Sequence, residues 1–207
     1  SSGLQVPISP ATLVAGTLGA VRVEQRLPNG SIDTSANGVL SITSPTGPGA
    51  IQLFDANGNP VSSVSLVNGV ANFQIRLTAA GPYSIQVSTT GSVNPTGFTT
   101  NVTAAAAASV NLFPDTGDVT APGTQTFTLS FSDEFSNPTN YTGTATISYS
   151  GAAVAPSSPA SATINTAAGQ NSFTVTTQAT GTVNVSVSLP RPAGAPAGGP
   201  LTDTSVL

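Results

Sequence analysis

Apolar and polar residues alternate along most of this 207-residue chain, in short runs that end at Gly, Pro or Asn. Alternation with a period of two puts successive side chains on opposite faces and predicts β-strands. Two stretches show it best: GVANFQIRLTAAGPYSIQVS at 69–88 and GQNSFTVTTQATGTVNVSVS at 169–188. Each is two alternating runs broken at a Gly, which is the pattern of a β-hairpin.

The two hairpin stretches repeat each other at a fixed offset of 100 residues. The aligned pairs include Gly69 and Gly169, Phe73 and Phe173, Gly81 and Gly181, and Val87 and Val187. A strand-rich repeat of this length predicts an all-β chain made of two copies of one β-sandwich.

The repeat sets the domain boundaries at 14–104 for the first sandwich and 105–189 for the second. The strands predicted from alternation are 20–25, 39–43, 51–54, 61–66, 71–78, 83–88 and 97–103 in the first copy, and 109–113, 125–132, 144–149, 161–165, 171–178 and 182–189 in the second. The five alanines at 104–108 are too few to nucleate a helix and are predicted to connect the domains.

Both ends of the chain leave alternatives open. In residues 1–13, Leu4, Val6 and Ile8 alternate with polar or small residues, but Pro7 and Pro10 interrupt them. This segment is either an N-terminal arm or a first strand at a sheet edge, where proline is tolerated.

Residues 190–207 comprise a Pro/Gly-rich linker, PRPAGAPAGGP, and the tail LTDTSVL. The tail is either the last strand of the second sandwich or a strand given to a neighbouring molecule. Eleven extended residues reach about 34 Å, far enough for such an exchange. The residues predicted to take part in exchange are Leu4, Val6 and Ile8 of the arm and Leu201, Val206 and Leu207 of the tail.

Composition argues against catalysis. The chain has no His, Cys, Lys, Met or Trp, and only 6% of its residues are charged. Imidazole bases, thiol nucleophiles and most zinc ligands are therefore missing from the sequence. Two carboxylates that face each other could still hydrolyse a sugar, but Asp133 and Glu134 are adjacent and would point to opposite faces of a strand. We expect no enzymatic activity and no cofactor.

Calcium is a weak expectation only. The run Asp55-Ala56-Asn57-Gly58-Asn59 resembles the first half of a calcium loop, but Pro60 stands where that loop needs glycine. A hairpin turn explains the run better, because Asn-Gly pairs tolerate positive φ. Asp115 and Asp118 form a second weak candidate.

Charge and hydropathy limit the partners. A net charge of −4 with four Arg excludes a basic nucleic-acid surface, and no run of about 18 apolar residues exists to span a membrane. Since no Met occurs anywhere, removal of a secretory signal is the simplest origin of the first residue, Ser1. We expect an extracellular or cell-surface location.

Four Asn-x-Ser/Thr triplets are candidate glycosylation sites, at Asn29, Asn101, Asn140 and Asn184. They are acceptors only in a secreted protein of a host that glycosylates. Such triplets also arise by chance in a chain rich in Ser, Thr and Asn.

The sequence resembles bacterial immunoglobulin-like domains, the repeats of invasin- and intimin-type adhesins and of surface-layer proteins. The pieces that carry the resemblance are Ala15-Gly16-Thr17, the turn DANGNPV at 55–61, the run GVANF at 69–73, Ala80-Gly81 and YSIQV at 83–87. The second copy keeps Gly123-Thr124, Gly169, Phe173 and Gly181, with Ser136-Asn137-Pro138 as the expected counterpart of the turn. The resemblance implies two tandem immunoglobulin-like sandwiches and assigns no binding residue.

Low charge, arm and tail together favour a structural role. The expected function is a repeating subunit of an extracellular filament or surface layer, with a second copy as partner and intersubunit strand addition as part of the assembly. Cell-surface glycans or other surface proteins are further expected partners. The alternatives are a stalk segment of an adhesin and a phage or virus decoration or fibre protein.

Overall fold

The chain divides into two compact units, Ser1–Ala104 and Ala105–Leu207, in a computed structural model that describes residues 3–90 and 95–207. Apart from the 3-10 helix Thr166–Ala168, the regular elements described are β-strands. Each unit consists of two sheets around a core of its own. The predicted fold class, two tandem immunoglobulin-like β-sandwiches, is confirmed.

The first unit pairs its strands into two five-stranded sheets. The strands are β1 (Gly3–Ile8), β2 (Thr12–Val14), β3 (Leu18–Arg26), β4 (Val39–Thr46), β5 (Gln52–Asp55), β6 (Pro60–Val61), β7 (Val64–Ser65), β8 (Val70–Arg76), β9 (Gly81–Thr89) and β10 (Thr96–Thr103). One sheet has the order β1-β3-β8-β5-β6 and the other β2-β10-β9-β4-β7. The pairs are antiparallel, except that β2 runs parallel to β10.

Alternation explains the core of the first unit. Along β8, Ala71, Phe73 and Ile75 are buried while the residues between them are partly or fully exposed. Along β9, Tyr83, Ile85 and Val87 are buried in the same way from the opposite sheet. The Tyr83 hydroxyl donates to the carbonyl oxygen of Ala79, four residues upstream, at 2.7 Å. This bond satisfies the polar group of the buried tyrosine.

The second unit has a similar plan with fewer strands. Its described strands are β11 (Ser109–Phe113), β12 (Gly123–Ser132), β13 (Pro138–Thr139), β14 (Thr142–Ser150), β15 (Ser161–Asn165), β16 (Ser172–Thr177), β17 (Asn184–Leu189) and β18 (Leu201–Val206). In one sheet β12 pairs with β11, β13 and β16, and the other sheet has the order β15-β14-β17-β18.

Aromatic rings fill the second core alongside aliphatic residues. Phe127 stacks on Phe173 with ring centroids 5.4 Å apart, and Phe131 stacks on Tyr141 at 4.5 Å. Phe127, Leu129, Ile164, Val175, Val185 and Leu189 are fully buried around them. The Tyr141 hydroxyl donates to the carbonyl oxygen of Pro190 at 2.7 Å, so this ring also ties the linker to the core.

The described residues near both ends of the chain belong to the sandwiches. β1 pairs with β3 and β2 with β10, so residues 3–14 belong to the first unit as strands. β18 pairs with β17 from Leu201 to Val206. The second sandwich therefore extends to Leu207 and does not end at residue 189, because the tail supplies its closing strand.

The repeat of 100 residues also appears in the backbone. Gly69 and Gly169 have φ angles of 84° and 75°, and Gly81 and Gly181 have φ angles of 140° and 144°. Gly69 and Gly169 precede the equivalent strands β8 and β16. Gly81 begins β9, and Gly181 precedes the equivalent strand β17. Both repeated segments, 69–88 and 169–188, therefore depend on backbone conformations that L-residues rarely adopt.

Three predictions of local structure were wrong. The β-hairpins predicted at 69–88 and 169–188 do not form, because β8 and β9 lie in different sheets and so do β16 and β17. The predicted strand 61–66 is two short strands in different sheets, since β6 pairs with β5 and β7 with β4. The turns at 55–60 and 133–138 are not counterparts: the first joins β5 to β6, whereas the second joins β12 to β13. The same turn chemistry is used at two places in the fold, as described below.

The linker 190–200 folds back on its own arginine. Arg191 donates through Nε to the carbonyl oxygen of Gly199 at 2.8 Å and through Nη1 to that of Pro196 at 3.3 Å. The linker therefore forms a closed loop between β17 and β18.

Candidate functional site

The tail residues predicted for strand exchange have different environments. Leu201 is 2% exposed and belongs to the core of the second unit, whereas Val206 is 39% exposed at the end of β18. Leu207 is half-buried, and its backbone exchanges hydrogen bonds with Val183 at 2.8 and 3.0 Å. In this structure β18 thus occupies the last strand position of its own sandwich.

β18 is also bonded to β11 and to the segment that follows it. The Asp203 carboxylate accepts a hydrogen bond from the Leu112 amide at 2.7 Å. The buried Ser205 hydroxyl lies within hydrogen-bonding distance of the carbonyl oxygens of Pro114 and Asp115. These two side chains join the sheets across one edge of the sandwich. In the sequence nothing distinguishes them from the other polar residues of the run 202–205.

The residues of the N-terminal segment divide in a similar way. On β1, Leu4 is 4% exposed and Val6 is half-buried, while Ile8 is 52% exposed. The register of β1 against β3 shifts between Gln5 and Ile8, around Pro7, which has no amide to donate. β1 is therefore an edge strand that is held by Leu4 at its start and interrupted by proline near its end.

All four candidate glycosylation residues are exposed. Asn29 lies in the turn after β3, where its Oδ1 accepts from the Ser31 amide at 3.0 Å and hydroxyl at 2.6 Å. Asn101 lies on β10 and Asn184 on β17, and the Asn184 amide donates to the Ser150 hydroxyl at 3.0 Å. The Asn140 side chain accepts from the Thr166 hydroxyl at 3.0 Å. The four residues lie at separate places and form no common site.

The Asp55 run forms a hydrogen-bonded turn. One carboxylate oxygen of Asp55 accepts from the amides of Asn57 and Asn59, each at 2.9 Å. These bonds hold the pKa of Asp55 below its usual value, the amide of Asn59 being the largest cause. One oxygen of this carboxylate is thus engaged by the backbone of the turn, and the other is 3.4 Å from the side-chain amide nitrogen of Asn59.

Asp133 repeats this turn in a buried setting. Its carboxylate accepts from the amides of Phe135 and Asn137 at 2.9 and 2.8 Å, and from the Asn137 side chain at 2.8 Å. It also accepts from the amide of Ala105 at 2.8 Å, which fixes the start of the second unit. Burial raises the pKa of Asp133, but these bonds outweigh it, led by the Asn137 side chain, and the net pKa is lowered.

An ion-pair cluster lies on β3. Glu24 is buried and binds Arg22 at 3.1 Å and Arg26 at 2.7 Å. Its pKa is lowered, chiefly by the hydrogen bond from Arg26. Arg26 also donates to the carbonyl oxygen of Gly30 at 2.7 Å, so the cluster fastens the turn after β3.

A shallow concavity of about 620 Å³ lies on the first unit where β4, β9 and β10 meet the loop after β4. Its lining is neutral and includes Pro48, Pro82, Ser84, Thr99 and Asn101. It holds no charged side chain that could orient a ligand or move a proton.

Over residues 3–90 and 95–207, no three His, Cys, Asp or Glu side chains come together as a metal-binding group. The described part of the chain also holds no helix of the length and apolarity needed to cross a membrane. Asp115 and Asp118 do not join a third acidic group among these residues.

Solved structures similar to this chain include domains of bacterial adhesins and of a surface-layer protein. The Escherichia coli adhesin FdeC is 22% identical with a TM-score of 0.49, over 98% of this chain and 64% of that one. The Yersinia pseudotuberculosis adhesin InvE is 14% identical with a TM-score of 0.42, over 98% and 58%. Domains 5–6 of the surface-layer protein SbsC are 12% identical with a TM-score of 0.36, over 100% and 98%.

The resemblance seen in the sequence, to invasin-, intimin- and surface-layer-type domains, is confirmed. This chain spans less than two thirds of the FdeC and InvE structures, and at these identities the likeness concerns the fold. No protein-family model matches the sequence, and no curated protein sequence matches it.

Proposed function

We propose that this chain is a non-catalytic structural module of an extracellular surface protein. The observation that carries the proposal is how its carboxylates are used. Five of the eight, Glu24, Asp33, Asp55, Asp133 and Asp203, accept hydrogen bonds from the chain's own turns, arginines or backbone. The groups that acid–base catalysis would need are thus employed in holding strands and turns.

We further propose that the module is a repeating subunit of a filament or surface layer, with a second copy as its partner. Ser, Thr, Asn and Gln cover the exposed positions of most strands, and such neutral faces can approach one another without charge repulsion. Electron microscopy of the purified chain at neutral pH tests this. Filaments or sheets are expected, and monodisperse single particles at high concentration would overturn it.

Strand addition is the proposed means of linking neighbouring copies. β18 is an edge strand at the end of an eleven-residue Pro/Gly-rich linker. If β18 moved to an identical neighbour, it would make there the same contacts that it makes in its own sandwich, so exchange costs little beyond reorganising the linker. Opening the Arg191 loop is the change that exchange requires.

A pair of cysteines can distinguish exchange from closure within one chain, because the natural chain has none. Ser186 and Thr204 are register partners across β17 and β18. In the S186C/T204C variant, exchange predicts disulfide-linked oligomers on a non-reducing gel. The control T146C/S188C joins register partners of β14 and β17, neither of which lies in the exchanged strand, and should give monomers only. Monomers from both variants would overturn strand addition. Electron microscopy would then decide whether the copies still assemble through side-by-side contacts.

An adhesin stalk is the second candidate. It is favoured by the closure of each sandwich with its own last strand, β10 or β18. A stalk segment would be monomeric in both experiments, so the same measurements decide between the two candidates. Glycans or other proteins at the cell surface would then be bound elsewhere in a longer polypeptide.

A further inference from the structure

Each unit places an early segment parallel to its last strand. In the first unit β2 runs parallel to β10, with Thr12, Leu13 and Val14 opposite Asn101, Val102 and Thr103. In the second unit Thr116 forms a parallel bridge with Val206 of β18. The other strand pairs in the described ranges are antiparallel, so this arrangement is particular to the two ends of each unit.

Hydrogen bonds at both ends hold the parallel pair of the first unit. The Asn101 amide donates to the carbonyl oxygen of Ala11 at 3.0 Å, and the Ala15 amide donates to that of Thr103 at 2.8 Å. Between them the register partners Leu13 and Val102 are both buried. Water therefore has poor access to the middle of the pair.

The second unit has a shorter pair with more side-chain bonds. The Gly117 amide donates to the carbonyl oxygen of Val206 at 2.8 Å, and the Val206 amide donates to that of Asp115 at 3.2 Å. The Ser205 hydroxyl and the Asp203 carboxylate add the bonds to Pro114, Asp115 and Leu112 described above. Side chains of β18 thus add hydrogen bonds to the few that a single backbone bridge provides.

The direction of these strands decides how they respond to tension. When the chain is pulled along its length, the early strand is drawn backwards and the last strand forwards. Two parallel neighbours are then loaded in shear, and their hydrogen bonds must break together. A force that separates the same strands sideways breaks the bonds one after another.

We infer that the parallel pairs act as mechanical clamps, which make each unit resist tension applied along the polypeptide. The inference goes beyond the proposed function, since it holds for a layer subunit, a filament subunit or a stalk. It assigns the role in the first unit to residues 11–15 and 101–103, and in the second to residues 112–117 and 203–206.

Pulling the full chain from two pairs of introduced cysteines tests the clamp of the first unit. Handles at A11C and A104C load β2 and β10 in shear, whereas handles at T12C and N101C pull register partners apart sideways. Both pairs keep the second unit outside the path of the force and release a similar length of chain. Forced unfolding is governed by the unfolding rate, so rates at one constant force can be compared directly.

We expect unfolding in shear to be slower by about tenfold or more, because at least one further hydrogen bond must break in the same step. Equal rates in the two directions would overturn the inference. The A11C/A104C variant, which is pulled in shear, keeps the backbone hydrogen bonds between β2 and β10. The comparison therefore does not depend on a destabilising substitution.

A substitution at Asn101 gives a second test. In the A11C/A104C background, N101P removes the amide that donates to Ala11, while the control N101A keeps it. We expect N101P to unfold about fivefold faster under tension than N101A, the effect of losing one hydrogen bond. Identical rates for the two folded variants would contradict the role of that bond, and if N101P does not fold, the comparison of pulling directions decides.

Discussion

At the scale of single residues, Asp133 organises the start of the second sandwich. It is 4% exposed and accepts four hydrogen bonds, one of them from Ala105 at the first position of the unit. A buried carboxylate with this many donors stabilises a fold only while all of them stay in place. Asp55 uses the same turn geometry at the surface, where water can replace the lost bonds.

The two aspartates therefore make a matched pair for mutation. We expect D133A to lower the free energy of unfolding of the second unit by about 2–4 kcal/mol, since buried amide donors lose a charged acceptor. The exposed control D55A should cost clearly less. Urea unfolding of both variants checks this, and equal losses would mean that burial of Asp133 adds nothing to its role.

Asp133 also gives the second unit a pH dependence of known sign. Its pKa is lowered in the folded state, so in acid the unfolded chain binds the proton first. The stabilisation is complete above the unfolded-state pKa of about 4 and is lost as pH falls through the lower folded-state pKa. Urea unfolding between pH 7 and pH 3 should show a smaller loss for D133N than for the natural chain. An equal loss of stability in D133N and the natural chain would show that groups other than Asp133 cause the acid sensitivity.

At the scale of elements, the repeated segments 69–88 and 169–188 depend on glycines in equivalent positions but different surroundings. A Cβ on Gly69 would lie 2.4 Å from the carbonyl oxygen of Asp33, whereas nothing lies within 4 Å of one on Gly169. Both have positive φ, so alanine is strained at either position.

We expect G169A to destabilise the second unit by about 1–2 kcal/mol, the cost of a left-handed conformation. G69A should destabilise the first unit by more, because the Asp33 backbone must also move. Thermal unfolding of both variants measures the difference. A larger effect for G169A would show that the loop around Asp33 yields easily.

The strands of the two repeated segments were predictable, although not their pairing, because their burial follows their alternation. β8, β9, β16 and β17 each bury every second residue, and their sequence signal is as regular as their structure. β2, β6, β7 and β13 are two or three residues long, too short for any period to appear. The switch between β6 and β7 takes the chain from one sheet to the other within four residues, and no local pattern encodes that change.

The last strand was left open in the sequence for a different physical reason. β18 has polar residues at four of its six positions and includes the buried Ser205, whose hydroxyl is satisfied by backbone carbonyls. Its place in the sheet comes from pairing with β17 across the eleven-residue linker, and its buried polar side chains bond to residues about 90 positions earlier. The Asp133 turn was likewise recognisable as a turn, but its place differs from that of the Asp55 turn, because it joins β12 to the two-residue strand β13, which is too short to show alternation.

At the scale of the whole molecule, each unit has its own core, and the equivalent residues Phe73 and Phe173 are buried in different ones. We expect F73A to lower the stability of the first unit and F173A that of the second, each by about 3–5 kcal/mol. Hydrogen exchange read out strand by strand checks which unit has lost protection. Equal loss in both units from either variant would show that they unfold as one.

The order of the closing strands has a consequence for synthesis. The first sandwich is complete once β10 has left the ribosome, whereas the second stays open until β18, the strand that buries Leu201, has followed. At about 5–20 residues per second, roughly 100 residues separate the two moments by about 5–20 s. During that interval the nascent chain carries one finished sandwich and one with a vacant strand position, at which a neighbouring nascent chain could insert its own strand.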